Sequence, residues 1–363
     1  MSGTTQLKEP ETFATDQVVE FGVGIRRDAG RALADLGAER AIVLSTPNQS
    51  DMAMELAADL GGRAAGVFTK ATMHTPVDVT EEAFAHARSV GADSVVSVGG
   101  GSTIGLGKAL ALRSDIAQVV IPTTYAGSEA TPILGQTAGG VKTTLTDAKV
   151  LPEVILYDPE LVVSLPRGMT VTSSLNAMAH AAEALYARER SAKSTGLAVE
   201  GLRAFVSGLP AVMADLSDLA AREATLRGAW ACGTVLGQVG MALHHKLCHT
   251  LGGTFDLPHA QTHAIILPHA IHYNAAAVPK LLAPVSELLG GKAPGLALWD
   301  FAKGLDAPVA LRDLGMPEEG IARAIEIALQ KPYWNPREIT AEGLQALLQD
   351  AWAGNAPGTT EIR

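Results

Sequence analysis

Up to Tyr157-Asp158-Pro159 the chain alternates short β-branched runs with segments of helical period, and beyond that point the β-branched runs stop. The runs are Ala41–Ser45, Ala64–Phe68, Ser94–Val98, Val119–Ile121 and Val154–Tyr157. Near-continuous apolar runs suit strands covered on both faces, which is the setting of a parallel sheet. Between them, Asp51–Leu60, Thr80–Val90 and Ser102–Leu112 carry apolar residues at helical spacing. The units therefore read as βαβ crossovers of a doubly wound α/β domain. Ala-, Leu-, Glu- and Arg-rich segments follow at Ser174–Arg188, Ser194–Leu209, Leu219–Leu243 and Ile321–Leu329, so the second half is expected to be all-helical. The expected division is an α/β dinucleotide-binding domain with a parallel sheet over 1–158 and an all-α domain over 159–363, with a ligand in the cleft between them.

Composition narrows the partners. With 363 residues and 47% apolar content the chain fills two cores, and 18% charged residues without low-complexity tracts excludes a disordered chain. The net charge of −10, with no Lys/Arg-rich run, argues against nucleic acid and anionic membranes and leaves a small molecule as the expected partner. The polar start from Met1 to Asp16 lacks the pattern of a secretory signal, so a cytoplasmic location is expected. Gly228–Leu243, nearly apolar but interrupted by Thr234 and Gln238, is too short to span a bilayer and reads as a buried helix. Cys232 and Cys248 cannot build a disulfide framework and are expected to be reduced packing residues.

Gly99-Gly100-Gly101-Ser102 follows a β run directly and opens a helical pattern that includes Lys108. Such a turn aims free backbone N–H groups and the positive end of a helix at an anion, so a pyrophosphate is the expected ligand. The spacing is neither Gly-x-Gly-x-x-Gly nor a Walker loop, which disfavours ATP chemistry. The next strand leads into Pro122–Glu129, whose Thr123, Thr124 and Ser128 are expected beside the first loop, on ribose or on the nicotinamide amide. Ser45 and Thr46 stand where a fold restricted to NAD often places an acidic residue on the ribose. Neutral residues there predict that both NADH and NADPH are used.

Seven of the ten histidines fall between His244 and His272. His245 and His249 are four apart and share one face of a helix, His259 follows the Gly252-Gly253 turn, and Asn176 and His180 are four apart on Ser174–Arg188. Four imidazoles and one carboxamide are thus expected to converge as an active cluster. A metal site of this kind would carry a carboxylate, which Asn176 cannot supply, although three neutral histidines suffice for zinc. No metal is expected. Without a cation the imidazoles serve as hydrogen-bond donors and proton carriers, and Lys246 adds positive charge that suits an anionic substrate. The spacing does not choose the proton donor among His180, His245, His249 and His259.

These motifs resemble the iron-containing alcohol dehydrogenase family over nearly the whole chain. The segments that carry the resemblance are PTTYAGSE at 122–129, LNAMAHAAEALYA at 175–187 and GMALHHKLCHTLGGTFDLPHAQTHAIILPHA at 240–270. The similarity is greatest to the branch of that family that reduces the carbon–carbon double bond of maleylacetate to 3-oxoadipate with NADH or NADPH, in bacterial aromatic degradation. The resemblance implies a nucleotide-binding α/β domain followed by a helical domain. It also implies that His180, His245 and His259 match the family's histidine ligands and that His249 matches an additional cleft histidine. The family's first metal-ligand aspartate is matched by Asn176, and the aspartate usual three positions after the loop serine by Gly105, as in the maleylacetate branch. Tyr125, Lys246, His249 and His263 are the residues expected against a dicarboxylate substrate, in a cytoplasmic homodimer. The alternative within the family is a metal-dependent alcohol dehydrogenase, in which the same histidines bind iron or zinc.

Overall fold

The computed structural model describes residues 17–330 and 333–360. The first part comprises β1 (Val18–Phe21), α1 (Ala29–Asp35), β2 (Ala41–Leu44), α2 (Ser50–Leu60), β3 (Ala64–Phe68), α3 (Val77–Ser89), β4 (Ser94–Gly99), α4 (Gly101–Ser114), β5 (Ala117–Pro122), β6 (Ile133–Ala138), β7 (Val141–Thr146) and β8 (Val154–Tyr157). Six strands form one parallel sheet in the order β1-β8-β5-β4-β2-β3. In β2 the alternation is direct: Ala41 and Val43 pack with Ala29 and Leu33 on one face, while Ile42 and Leu44 pack with Leu106 and Leu110 on the other. The order reverses between β2 and β4, so the loops after these two strands open at a topological switch point, where ligands of such sheets bind.

Strand β1 and the antiparallel hairpin β6–β7 were not among the sequence expectations. The hairpin turns at Gly139-Gly140, with φ of 54° and 77°, as a two-residue turn with left-handed residues requires. Its described residues are mostly polar and exposed or half-buried, so they lack the apolar run that marks the central strands.

The second part holds α5 (Glu160–Val163), α6 (Arg167–Ala184), α7 (Ala192–Ala214), α8 (Leu219–Leu236), α9 (Leu243–Phe255), α10 (His259–Ala275), α11 (Ala283–Leu288), α12 (Pro294–Gly304), α13 (Gly320–Gln330) and α14 (Ala341–Ala353). Helix α6 lies at the centre, packed by α7, α8 and α10, and every residue from Ser174 to Ala184 is buried. Helix α7 is long and apolar enough to cross a membrane by length and composition, yet Leu197, Leu202, Phe205 and Leu209 are buried in the protein core.

One helix expectation is corrected. Leu219–Leu243 is not continuous: α8 stops at Leu236, and Gly237–Ala242, with two glycines, separates it from α9. A Cβ at Gly237 would lie 3.0 Å from Pro132 Cδ, so the chain turns where it meets the loop after β5. The break lets α9 start afresh with His244 and His245 in its first turn. The two parts also meet at Gly127 and Gly233, where a Cβ on Gly233 would come within 2.3 Å of the Gly127 carbonyl oxygen.

Candidate active site

The loops expected to hold a coenzyme follow β2, β4 and β5, which are neighbours in the sheet. Gly100 caps α4 without a side-chain hydrogen bond, so the helix N-terminus offers its backbone N–H groups to a ligand. A Cβ at Gly100 would sit 2.9 Å from Thr124 Cγ2, and one at Gly101 would face Ser128 Oγ at 3.9 Å, which brings Thr124 and Ser128 against that end. Ser128 Oγ is buried without a partner. Thr123 is held by Gln49, whose Nε2 donates to Thr123 Oγ1 at 2.8 Å, while Thr46 Oγ1 donates to Gln49 Oε1 at 3.2 Å. Gln49 was not foreseen; it ties the loop after β2 to the loop after β5.

Two sequence expectations change here, those for Ser45 and Tyr125, and Lys108 finds its role. Ser45 is fully buried and its hydroxyl donates to the Thr46 carbonyl, so it closes the strand end and offers nothing to a ribose. Lys108 does not face an anion: its buried ammonium donates to the carbonyls of Ser128, Thr131 and Ile133, and burial lowers it to about 7 despite nearby Glu129. It staples the loop after β5. Tyr125 is fully buried, edge-on to Phe205, and its hydroxyl is taken by Arg222 at 3.0 Å and Thr225 at 3.1 Å. It is a core residue and cannot touch a substrate.

The histidines do gather. Ring centroids lie 5.2 Å apart for His180 and His245, 6.2 Å for His245 and His249, 6.5 Å for His249 and His259, and 4.3 Å for His259 and His263. They come from α6, α9 and α10. His180, His245 and His263 are buried, whereas His249 and His259 are exposed, so the cluster has a dry side and an open side. Asn176 sits one turn before His180 on α6 with its Oδ1 buried and unpartnered, as are His180 Nδ1, His245 Nε2 and His263 Nε2. Buried polar atoms left unsatisfied cost free energy, and a cluster of them marks where a ligand's polar groups belong. Burial, reinforced by the neighbouring imidazoles, pushes His180 and His263 well below the usual histidine range. Both are neutral at pH 7. Lys246 is half-buried, its ammonium 5.4 Å from the Tyr333 ring, whose own hydroxyl is buried without a partner.

Sequence reasoning missed Glu183 and His244. Glu183, one turn after His180, is fully buried, and its Oε2 stands 2.7 Å from His245 Nδ1. Burial alone would raise this carboxyl, but the His245 hydrogen bond and the backbone N–H of Ala242 hold it down to about 2. Its stabilising contribution is therefore present above its ordinary value of 4.5 and is lost as the pH falls from there towards 2. Urea unfolding of wild type and Glu183→Gln is expected to show a gap of about 1–3 kcal/mol at pH 7, the cost of losing a charged hydrogen-bond partner, that narrows steadily below pH ~4.5. A gap unchanged at pH 3 would contradict it. His244 Nε2 and His263 Nδ1 are 2.9 Å apart, and with Cys248 Sγ they form a group whose ligand atoms lie within 4.8 Å of one another. The 2.9 Å spacing is that of a hydrogen bond, and burial pushes the Cys248 thiol well above its ordinary value.

Against known proteins nearly the whole chain finds counterparts. The model described as iron-containing alcohol dehydrogenase matches residues 17–159, and that described as Fe-containing alcohol dehydrogenase family, C-terminal, matches residues 170–352. A maleylacetate reductase of Rhizobium sp. is 57% identical over 346 residues, covering 95% of this chain and 98% of that protein. Another from Sphingobium indicum is 52% identical, covering 94% and 97%. Among solved structures, maleylacetate reductase from Agrobacterium tumefaciens is similar with a TM-score of 0.93 and 54% identity, over 97% of this chain and all of that one. An iron-containing alcohol dehydrogenase from Corynebacterium glutamicum is similar with a TM-score of 0.91 and 39% identity, over 95% and 97%. On these matches, which cover both parts of the fold and both halves of the site, the chain belongs to the iron-containing alcohol dehydrogenase family.

Proposed function

We propose that this chain is a maleylacetate reductase, reducing the carbon–carbon double bond of maleylacetate to 3-oxoadipate with a nicotinamide coenzyme. What carries the reading is likeness over nearly full length, at 46–57% identity, to curated relatives of that name. The chemistry of the cluster agrees with it. Hydride from the coenzyme adds to the alkene carbon β to the ketone, the double-bond electron pair moves onto the keto oxygen, and a proton is then added at the adjacent carbon. Maleylacetate, NAD(P)H and one proton thus give 3-oxoadipate and NAD(P)⁺. The enolate oxygen needs preorganised donors, and neutral His180 and His263 each carry one ring N–H in a dry setting where such a donor is worth roughly 10²–10³ in rate. Being neutral at pH 7, neither supplies the proton. His245, His249 and His259 remain for that role, and Lys246 with the open side of the cluster suits two carboxylates.

The iron for which the family is named meets an incomplete donor set. A site for such an ion draws on carboxylate beside imidazole, and here Asn176 is neutral while Glu183 is turned to His245 Nδ1 and the start of α9. His180, His245 and His259 would suffice for a nitrogen-bound ion such as zinc, which would polarise the keto oxygen. The proposed turnover does not depend on it, because the imidazole N–H groups already serve that oxygen.

Coenzyme oxidation followed with maleylacetate and with simple aldehydes tests the reading. Fast turnover with the enone diacid and none with aldehydes is expected; the reverse would make the chain an alcohol dehydrogenase. With no acidic residue after β2, both NADH and NADPH are expected to serve, their kcat/KM values differing by less than about 10³; a larger preference would show that the loop after β2 discriminates. A cytoplasmic homodimer acting on a small dicarboxylate, with no nucleic-acid or membrane partner, completes the proposal. Light scattering on the purified protein checks the dimer.

A further inference from the structure

We propose that Glu183 is the positioning residue of this site: its carboxylate fixes the proton of His245 on Nδ1 and so commits Nε2 to the cluster. The proposal rests on the reductase reading above. An ionised carboxylate only accepts hydrogen bonds, so the 2.7 Å contact with Oε2 requires that Nδ1 carry the hydrogen. The same oxygens accept from the backbone N–H groups of Ala242 at 3.0 Å, His244 at 2.9 Å and His245 at 3.4 Å, and Oε1 also accepts from Tyr186 Oη at 3.0 Å.

Three of those donors are the N-terminal amides of α9, whose own N-cap residue, Ala242, has no side chain able to accept them. A carboxylate carried by α6 therefore does for α9 what a Ser or Asp cap does for an ordinary helix, and its negative charge meets the positive end of that helix. Cap and ring share one pair of oxygens. The start of α9 and the orientation of its second histidine ring are thereby locked together and to α6, the helix that also carries Asn176 and His180. His245 Nε2 is left buried with no hydrogen-bond partner among the described residues, its ring 5.2 Å from both His180 and His263. With Nδ1–H held by the carboxylate, Nε2 is the nitrogen that takes up a second proton, and the imidazolium so formed is the species that passes it to the substrate carbon. Glu183 touches no reacting atom and acts through His245, as the outer carboxylate of an oriented imidazole does elsewhere.

The test combines a spectroscopic and a kinetic arm. In wild-type protein labelled with ¹⁵N-histidine, the His245 ring, assigned by its loss in His245→Gln, is expected to carry its fixed proton on Nδ1. In Glu183→Ala the preference is expected to disappear, with cooperative unfolding retained. Glu183→Gln keeps the shape but not the charge; its kcat is expected to fall at least 30-fold with both KM values within threefold, and Glu183→Asp to recover part of the loss. The double variant Glu183→Gln/His245→Gln is expected to be no more than twofold slower than His245→Gln alone. A His245 ring protonated on Nε2 alone in wild type would overturn the proposal. So would a Glu183→Gln enzyme within twofold of wild type, or losses that multiply in the double variant, which would mean that Glu183 serves the fold and not the ring. A wild type inert towards maleylacetate would instead sink the reductase reading, and the tautomer signal would still be readable.

Discussion

His245→Gln is expected to lower kcat for maleylacetate by roughly 10²–10⁴, the range for losing a positioned proton carrier, with the KM for NADH within about threefold. The reason is the arrangement around this ring. His180 and His263 are driven neutral by burial, so neither delivers a proton at pH 7. His245 differs from both in having a buried carboxylate on its far nitrogen while Nε2 stays unpaired. Glutamine keeps a polar group of similar reach but neither carries nor relays a proton. Steady-state and single-turnover kinetics on the variant separate the chemical step from product release. A kcat within tenfold of wild type would move the proton-transfer role to His249 or His259 on the open side.

The second large effect concerns stability and coenzyme binding together. Gly233→Ala puts a Cβ 2.3 Å from the Gly127 carbonyl oxygen and 2.8 Å from its Cα, and both neighbours are backbone. Neither side has a flexible end to move: Gly233 lies inside α8, and Gly127 holds a left-handed φ of 76°. Helix and loop must part, at a cost of about 1–3 kcal/mol for overpacking. Thr123, Thr124 and Ser128 ride on that loop, so the KM for NADH is expected to rise at least tenfold alongside a lower thermal midpoint. A variant that is less stable but binds coenzyme normally would show that the loop adapts and that its seating on α8 does not organise the coenzyme site.

The parallel sheet was legible because its strands are buried on both faces, and an element that must be apolar throughout announces itself. The glycine turn was legible for a related reason: Gly99 holds a φ of 157° and a Cβ on Gly100 would meet Thr124, so side chains are missing where the backbone leaves no room for them. Residues whose meaning depends on a distant partner were not legible. Tyr125 stands between hydroxyl-bearing loop residues and reads like one of them, but Arg222, 97 residues away, turns it into the core. Ser45 ends a strand beside the expected ribose site, and its own backbone takes its hydroxyl. The spacing of His180 and Glu183 says that they share a helix face, but not that backbone groups 59 to 62 residues later converge on that carboxylate. The break between α8 and α9 escaped notice because Gly237–Ala242 contains no proline and remains largely apolar.

The most direct measurement is maleylacetate turnover by enzyme dialysed exhaustively against a strong chelator, with its iron and zinc content determined on the same sample. Undiminished kcat at a metal content far below one ion per chain is the predicted result, because the proposed roles of the ring N–H groups and of the carboxylate-oriented imidazole leave no step to an ion. Activity that vanishes on chelation and returns with stoichiometric iron or zinc would contradict it.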